Sequence, residues 1–137
     1  MSVILRLSGK HLDPETVAQM TKLPIVKKYR RGESVYPRTK PRGPKHKFSG
    51  VNIKITPNDH LQSRASDLAR KAMQVISKRR REIIQITKAP GVEFVVLDIG
   101  ISKLDVAGQF EQIPSPFLLQ LGQLGIDLEI SIYHAFA

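Results

Sequence analysis

Residues 48–56 read FSGVNIKIT, and this short stretch sets the frame for the rest of the chain. Val51, Ile53 and Ile55 fall on one side and Asn52, Lys54 and Thr56 on the other, the period of two expected of a half-buried strand. The turn TPND follows. Leu61, Ala65, Leu68, Ala72, Val75 and Ile76 then recur at helical spacing, which predicts a helix from Asn58 or Asp59 to about residue 77. The run KRRR at 78–81 would occupy every face of a helix, so part of it must be solvated, and a break or bend is expected there. Ile83, Ile84 and Ile86 predict a second helical piece over 82–88, stopped by Pro90 and Gly91.

Working outward, residues 2–8 place Val3, Leu5 and Leu7 on one face and Arg6 and Ser8 on the other, a first strand. Asp13 precedes Pro14 as an N-cap precedes a first-turn proline, and Val17, Met20 and Leu23 give a short apolar stripe. A helix over about 13–22 follows, ended by Pro24, and IVKKYRR reads as a strand. Toward the other end, VEFVVLDIGI at 92–101 is nearly continuous in apolar and β-branched residues, as a strand covered on both faces would be. Ser115 is placed to cap a helix that buries Phe117, Leu118, Leu121 and Leu124 and closes at Gly125. In the last strand, DLEISIYH, Leu128, Ile130 and Ile132 are expected inward, with Asp127, Glu129, Ser131 and Tyr133 outward.

These elements predict one α+β domain over residues 1–137, an open sheet with helices packed mainly on one face. It holds two β-α-β units, 2–30 and 92–134, and is ferredoxin-like in general character. Between the second and third strands lie Gly32, Pro37, Pro41, Gly43 and Pro44. Proline at that density opposes both ladder and helix, so 32–47 is expected to be a proline-rich basic surface loop and the least ordered part of the chain.

Four stretches together look familiar: LRLSGKHLDPETVAQMTKLP, KKYRRGE, the strand GVNIKI and the terminal FLLQLGQLGIDLEISIY. Over nearly its whole length the chain resembles a family of small bacterial proteins of unknown function. That family has an N-terminal strand, a helix started by Leu-Asp-Pro, and a closing Leu-Gly…Ile-Tyr strand. The resemblance implies an immunity or accessory type of role and brings no catalytic residue set. Where relatives often carry a tryptophan-bearing strand, this chain has Val51 and no tryptophan.

With 137 residues and 41% apolar content, the chain has material for one core. Cysteine is absent, which excludes disulfides, thiolate metal sites and a cysteine nucleophile. No apolar run is long enough to span a bilayer and the first residues lack a signal-peptide pattern, so a cytoplasmic location and no membrane partner are expected. The net charge of +10 is uneven. Residues 1–88 hold 21 Lys and Arg against 6 Asp and Glu, and residues 89–137 hold 1 against 6.

The basic segment contains Lys27, Lys28, Arg30, Arg31, Arg38, Lys40, Arg42, Lys45 and Lys47, with Tyr29, Tyr36 and His46 interleaved and Glu33 opposing. Arg79, Arg80 and Arg81, with Lys78, Arg70 and Lys71, would extend this surface if their helix lay beside the loop. Cations with rings between them suit a phosphate backbone and unstacked bases. A merely solvated loop is the commonest reading of such charge, and an acidic protein surface is a further one; the charge alone favours nucleic acid, whereas the role implied by the resemblance favours a protein partner. No helix-turn-helix, zinc-finger spacing or RNP-like strand accompanies them, so base-specific recognition is not expected.

His11, His46, His60 and His134 have no ligand spacing, and no metal is expected. Asp127 and Glu129 share a strand face but read as a solvated acidic rim. Fingerprints for a serine nucleophile, a phosphate loop or a dinucleotide are missing, so neither a cofactor nor an enzymatic activity is expected. The expected function is a non-catalytic binding protein that engages an acidic protein partner through its basic surface. Salt-sensitive, non-sequence-specific nucleic-acid binding is the alternative, and an enzyme of unknown class is the last. Self-association is a further option, with Glu111, Asp127 and Glu129 meeting the basic loop of a second copy.

Overall fold

Alternating apolar side chains at the N-terminus form β1 (Ser2–Gly9), the centre of a five-stranded sheet. Val3, Leu5 and Leu7 point into the core and are at most 1% exposed. The computed structural model describes residues 2–56 and 64–134. In it, β1 is followed by α1 (Pro14–Gln19), β2 (Ile25–Tyr29), β3 (Ser34–Tyr36), β4 (Lys40–Lys45) and β5 (Ser49–Lys54). Next come α2 (Ala65–Lys78), α3 (Arg80–Thr87), β6 (Phe94–Lys103), α4 (Ser115–Leu124) and β7 (Asp127–His134).

The sheet order is β2-β5-β1-β6-β7. β5 and β6 flank β1 antiparallel, β2 runs antiparallel to β5, and β7 runs parallel to β6. β1, β2, β5 and β6 with the helices between them are therefore the split β-α-β arrangement of a ferredoxin-like fold, extended by α4 and β7. Both expected β-α-β units are present. In the first, β5 is inserted between β1 and β2; in the second, β6 and β7 are direct neighbours joined through α4.

One core lies between the sheet and the helices. Val3, Leu5, Leu7, Val51, Ile53, Leu97, Ile99 and Ile101 meet Val17, Leu68, Ala72, Ile76, Ile83, Ile86, Phe117 and Leu121 there. The helical segment 65–87 is interrupted at Arg79, whose φ of −110° and ψ of 28° separate α2 from α3. This is the break that KRRR implied. α2 begins at Ala65; the earlier start expected at 58 or 59 lies outside the described residues.

Several expectations are corrected by physical context. Residues 34–45 form a two-stranded ladder, with Ser34 opposite Lys45 and Tyr36 opposite Lys40 and an irregularity between. Pro41 and Pro44 are tolerated because β4 has one neighbour, so a missing N–H can face solvent. The segment remains on the surface, but as a hairpin. Ser115 is not the cap of α4: Pro114 occupies that position, and Leu118 is 47% exposed while Phe117 and Leu121 are buried.

In β7, Leu128 packs on the core, but Ile130 and Ile132 are 38% and 60% exposed because β7 is an edge strand. On β6, residues 97–102 are all buried, yet the face away from the helices is covered by neighbouring side chains rather than by a second layer. There Asp98 takes hydrogen bonds from Arg6 (2.7 Å) and Ser131 (2.7 Å), and Tyr133 lies against Gly100. No described helix is long and apolar enough to cross a membrane.

Candidate functional site

β2 supplies the root of the basic surface. Its register pairs Lys28 with Val51, and Lys27 and Tyr29 with Asn52 and Gly50. Lys28 thus shares the helix side of the sheet, and Lys27 and Tyr29 share the open side. Lys28 forms an ion pair with Glu15 at 2.9 Å, and Arg30 one with Asp13 at 3.2 Å. These two cations are tied to the first turn of α1. Asp13 also accepts from the Thr16 hydroxyl at 2.8 Å and the Glu15 N–H at 3.2 Å. The Thr16 hydrogen bond leads in holding its carboxyl below the usual carboxylate range, with the Glu15 N–H and Arg30 adding to it.

Tyr29 lies over Gly50, where any Cβ would collide with the phenol and sit 2.9 Å from the Leu7 carbonyl oxygen. Only glycine leaves room for the ring. The Tyr29 ring stacks on His46, with centroids 4.3 Å apart and planes 24° from parallel. Burial raises the Tyr29 phenol above its ordinary value. Burial also lowers the His46 imidazole, with Lys27 acting in the same direction and Glu33 against it. Next along the chain, Phe48 meets Phe94 edge-on at 5.3 Å.

From this root the β3–β4 hairpin projects. Its base is closed by Gly32 N–H donating to the His46 carbonyl (2.9 Å) and His46 N–H donating to the Glu33 carbonyl (2.8 Å). Gly32 takes a φ of 89°, a left-handed conformation that suits glycine. The Ser34 hydroxyl donates across the hairpin to the Lys40 carbonyl at 2.8 Å. Arg31, Arg38, Lys40, Arg42, Lys45 and Lys47 are exposed, and none forms an ion pair among the described residues. Lys45 Nζ instead donates to the Pro41 carbonyl at 2.9 Å. Tyr36 is 51% exposed, with Lys40 Nζ 6.0 Å from its ring centre.

The expected basic surface is therefore two surfaces. Lys78 and Arg79 meet Leu23, Pro24 and Lys54, at the start of β2 and the end of β5, while the hairpin leaves from the other end of β2. Five strand residues separate them, about 16 Å. Arg79 forms an ion pair with Glu82 at 3.3 Å, and Arg80 and Arg81 are exposed on the first turn of α3. Arg81 borders an open groove of ≈ 640 Å³ together with Thr21, Lys22 and Glu82. In that groove Glu82 accepts from the Thr21 hydroxyl at 2.5 Å and the Lys22 N–H at 3.2 Å.

The acidic residues proposed for self-association onto the basic loop are largely engaged within the chain. Glu111 accepts from Ala65 N–H at 2.8 Å, capping α2, and pairs with Arg64 at 3.2 Å. Glu129 lies 3.7 Å from Arg6. No set of three or more His, Asp or Glu is arranged to hold a metal among the described residues. Reading the sequence missed Arg6, Gly50 and Phe48. The alternation around 48–54 marks a strand, but no local signal shows which rings rest on it.

The model of a domain of unknown function, DUF4279, matches residues 1–135, and the chain belongs to that family. No curated protein and no solved structure matches it.

Proposed function

We propose that this member of the DUF4279 family is a non-catalytic binding protein whose basic hairpin holds an acidic surface of a protein partner. One observation carries the reading: six exposed cations, Arg31, Arg38, Lys40, Arg42, Lys45 and Lys47, stand on the hairpin or at its base without a carboxylate paired to any of them among the described residues. Unneutralised charge held on a projecting element attracts a complementary surface and steers its approach. An immunity or accessory role, in which a partner is bound and held, is the form this reading takes.

The rings favour protein over nucleic acid. Tyr29 and His46 are stacked on each other, and the phenol end of Tyr29 lies against Gly50. Both residues are half-buried and already stacked, which leaves them less open to an unstacked base than an exposed ring. Tyr36 is the exposed ring of the hairpin, so stacking offers little to a single strand that would use several such platforms.

The test is titration of the purified protein with polyglutamate as an acidic polypeptide probe and with single- and double-stranded DNA and RNA oligonucleotides, at about 50 and 200 mM salt, where phosphate-driven binding falls steeply. Tighter binding of polyglutamate than of every oligonucleotide at matched salt is the expected result. Preference for an oligonucleotide, with affinity collapsing between the two salts, overturns the reading in favour of nucleic acid.

A further inference from the structure

β7 ends the sheet, and among the described residues nothing pairs with its outer edge. Sheet edges are ordinarily blunted by proline, a bulge, lysine or an inward-pointing charge. Among the described residues, β2 and β4 carry such devices. β2 has a register irregularity between Ile25 and Lys27 followed by two lysines. β4 reads KPRGPK, with prolines at both ends of its centre. β7, DLEISIYH, has eight residues in unbroken register with β6 and contains no proline and no lysine.

Its side chains match the open backbone. Ile130 and Ile132 are the cross-strand partners of Ile99 and Ile101. Ile99 and Ile101 are buried at 0% and 2%, whereas Ile130 and Ile132 are 38% and 60% exposed. The apolar row of the core therefore runs on to the edge and stops uncovered.

We infer that β7 pairs antiparallel with β7 of a second copy, joining two five-stranded sheets into one. Charge selects the occupant. The chain carries +10, but residues 89–137, which include β7, hold 1 Lys against 6 acidic residues. Two copies can thus approach along this edge without bringing their basic hairpins together. Glu129 supplies little repulsion, since it lies beside Arg6, and Asp127 stands at the first position of the strand, away from its centre.

Register is set by the sequence of the strand. A two-fold axis through Ser131, normal to the sheet, places Ile130 opposite Ile132 of the other copy twice over, on the helix side. It places Glu129 opposite Tyr133 on the open side. An isologous pairing of this kind closes on itself and does not propagate. It leaves both hairpins at the outer ends of a ten-stranded sheet, on the order of 40 Å apart at strand spacing. Two acidic patches, or one long acidic face, could then be engaged at once.

The chain lacks cysteine, which makes a single-cysteine test unambiguous. In the pairing proposed, Ser131 faces Ser131 of the second copy. Directly opposed antiparallel residues lie about 4.5–5.5 Å apart at Cα, within the range of about 4.4–6.8 Å that a disulfide spans. Sedimentation equilibrium of the native protein is expected to give twice 15.4 kDa, and Ile132→Lys, which places a charge in the row, is expected to return it to the monomer mass. Because Ile132→Lys could unfold the strand, its circular dichroism is compared with the native protein. Ser131→Cys is expected to cross-link under mild oxidation much faster than Thr39→Cys at the hairpin tip. A native monomer across the concentration series, or equal cross-linking of the two cysteine variants, overturns the proposal.

Discussion

Tyr29 on the edge strand β2 and His46 at the end of the hairpin stack with ring centres 4.3 Å apart, and this contact fixes the basic hairpin to the sheet. Stacked ring pairs contribute about 0.5–1.5 kcal/mol beyond the area they bury. His46→Ala is expected to loosen the hairpin by about that amount. Amide hydrogen exchange should speed up over residues 34–45 while the central strands β1 and β6 stay protected. Unchanged exchange in the hairpin would mean that its base is held by the Gly32–His46 and His46–Glu33 backbone bonds alone.

The same pair makes the hairpin sensitive to pH. Burial, reinforced by Lys27, lowers the His46 imidazole from its ordinary value near 6.5. The fold therefore favours the neutral ring. Its contribution is full above the unfolded value and is lost as pH falls toward and through the lower folded one. Hairpin protection should decline as pH drops below about 6.5. An NMR titration of the His46 ring should give a midpoint below that of His46 in the urea-unfolded chain. A midpoint equal to or above it contradicts the arrangement.

Gly50 is needed for the space it leaves. A Cβ at this position collides with the Tyr29 phenol and lies 2.9 Å from the Leu7 carbonyl oxygen, so Gly50→Ala forces the ring or β1 to shift. Overpacking of this kind costs about 1–3 kcal/mol. Urea denaturation should show a lower midpoint, and the loosened hairpin exchange of His46→Ala should appear in this variant too. A variant as stable as the native protein would show that Tyr29 does not rest on Gly50.

On the open face of the sheet, Arg6 and Asp98 form an ion pair at 2.7 Å in which the Asp98 side chain is 4% exposed and the Arg6 side chain 39%. The two ends of this pair are expected to respond unequally. Arg6→Met leaves a buried carboxylate with Ser131 as its remaining side-chain partner, the kind of loss that costs about 3 kcal/mol or more. Asp98→Asn keeps an acceptor for Ser131 and leaves Arg6 able to reach water and Glu129, at about 1 kcal/mol. Chemical denaturation of the two variants measures the difference, and equal losses would contradict the asymmetry.

The regular elements were legible because their signals are local. The alternation of β1 and β5, the apolar run of β6 and the helical spacing of 65–76 each follow from which side chains must turn inward. The KRRR run marked a break because four cations cannot share one buried face. The hairpin was not legible, since proline signals a missing donor and not whether the chain needs it; on a two-stranded ladder Pro41 and Pro44 can turn toward solvent. Nor does alternation reveal a strand's neighbours. β7 reads like β5, yet β5 lies between β1 and β2 while β7 ends the sheet, so Ile130 and Ile132 are exposed where Val51 and Ile53 are buried.

The candidate site divided for the same reason. Lys27 to Lys47 could be gathered from sequence proximity alone, and the hairpin brings most of that stretch together. Whether Arg79, Arg80 and Arg81 belong with it depends on which end of β2 meets the α2–α3 junction. Topology places Arg79 at the far end, beside Leu23 and Pro24, and Arg81 beside Thr21 and Lys22. The internal ion pairs of Lys28 and Arg30 with α1 were equally beyond local reading.

The measurement that bears most directly on the account compares two charge-removal variants in binding polyglutamate at fixed low salt. One neutralises the hairpin, Arg38→Gln, Lys40→Gln, Arg42→Gln and Lys45→Gln; the other neutralises the helix junction, Arg79→Gln, Arg80→Gln and Arg81→Gln. The hairpin variant should lose roughly tenfold or more in affinity, about 1.4 kcal/mol, while the junction variant binds like the native protein. Equal losses in the two, or a loss confined to the junction variant, would contradict the assignment of binding to the hairpin.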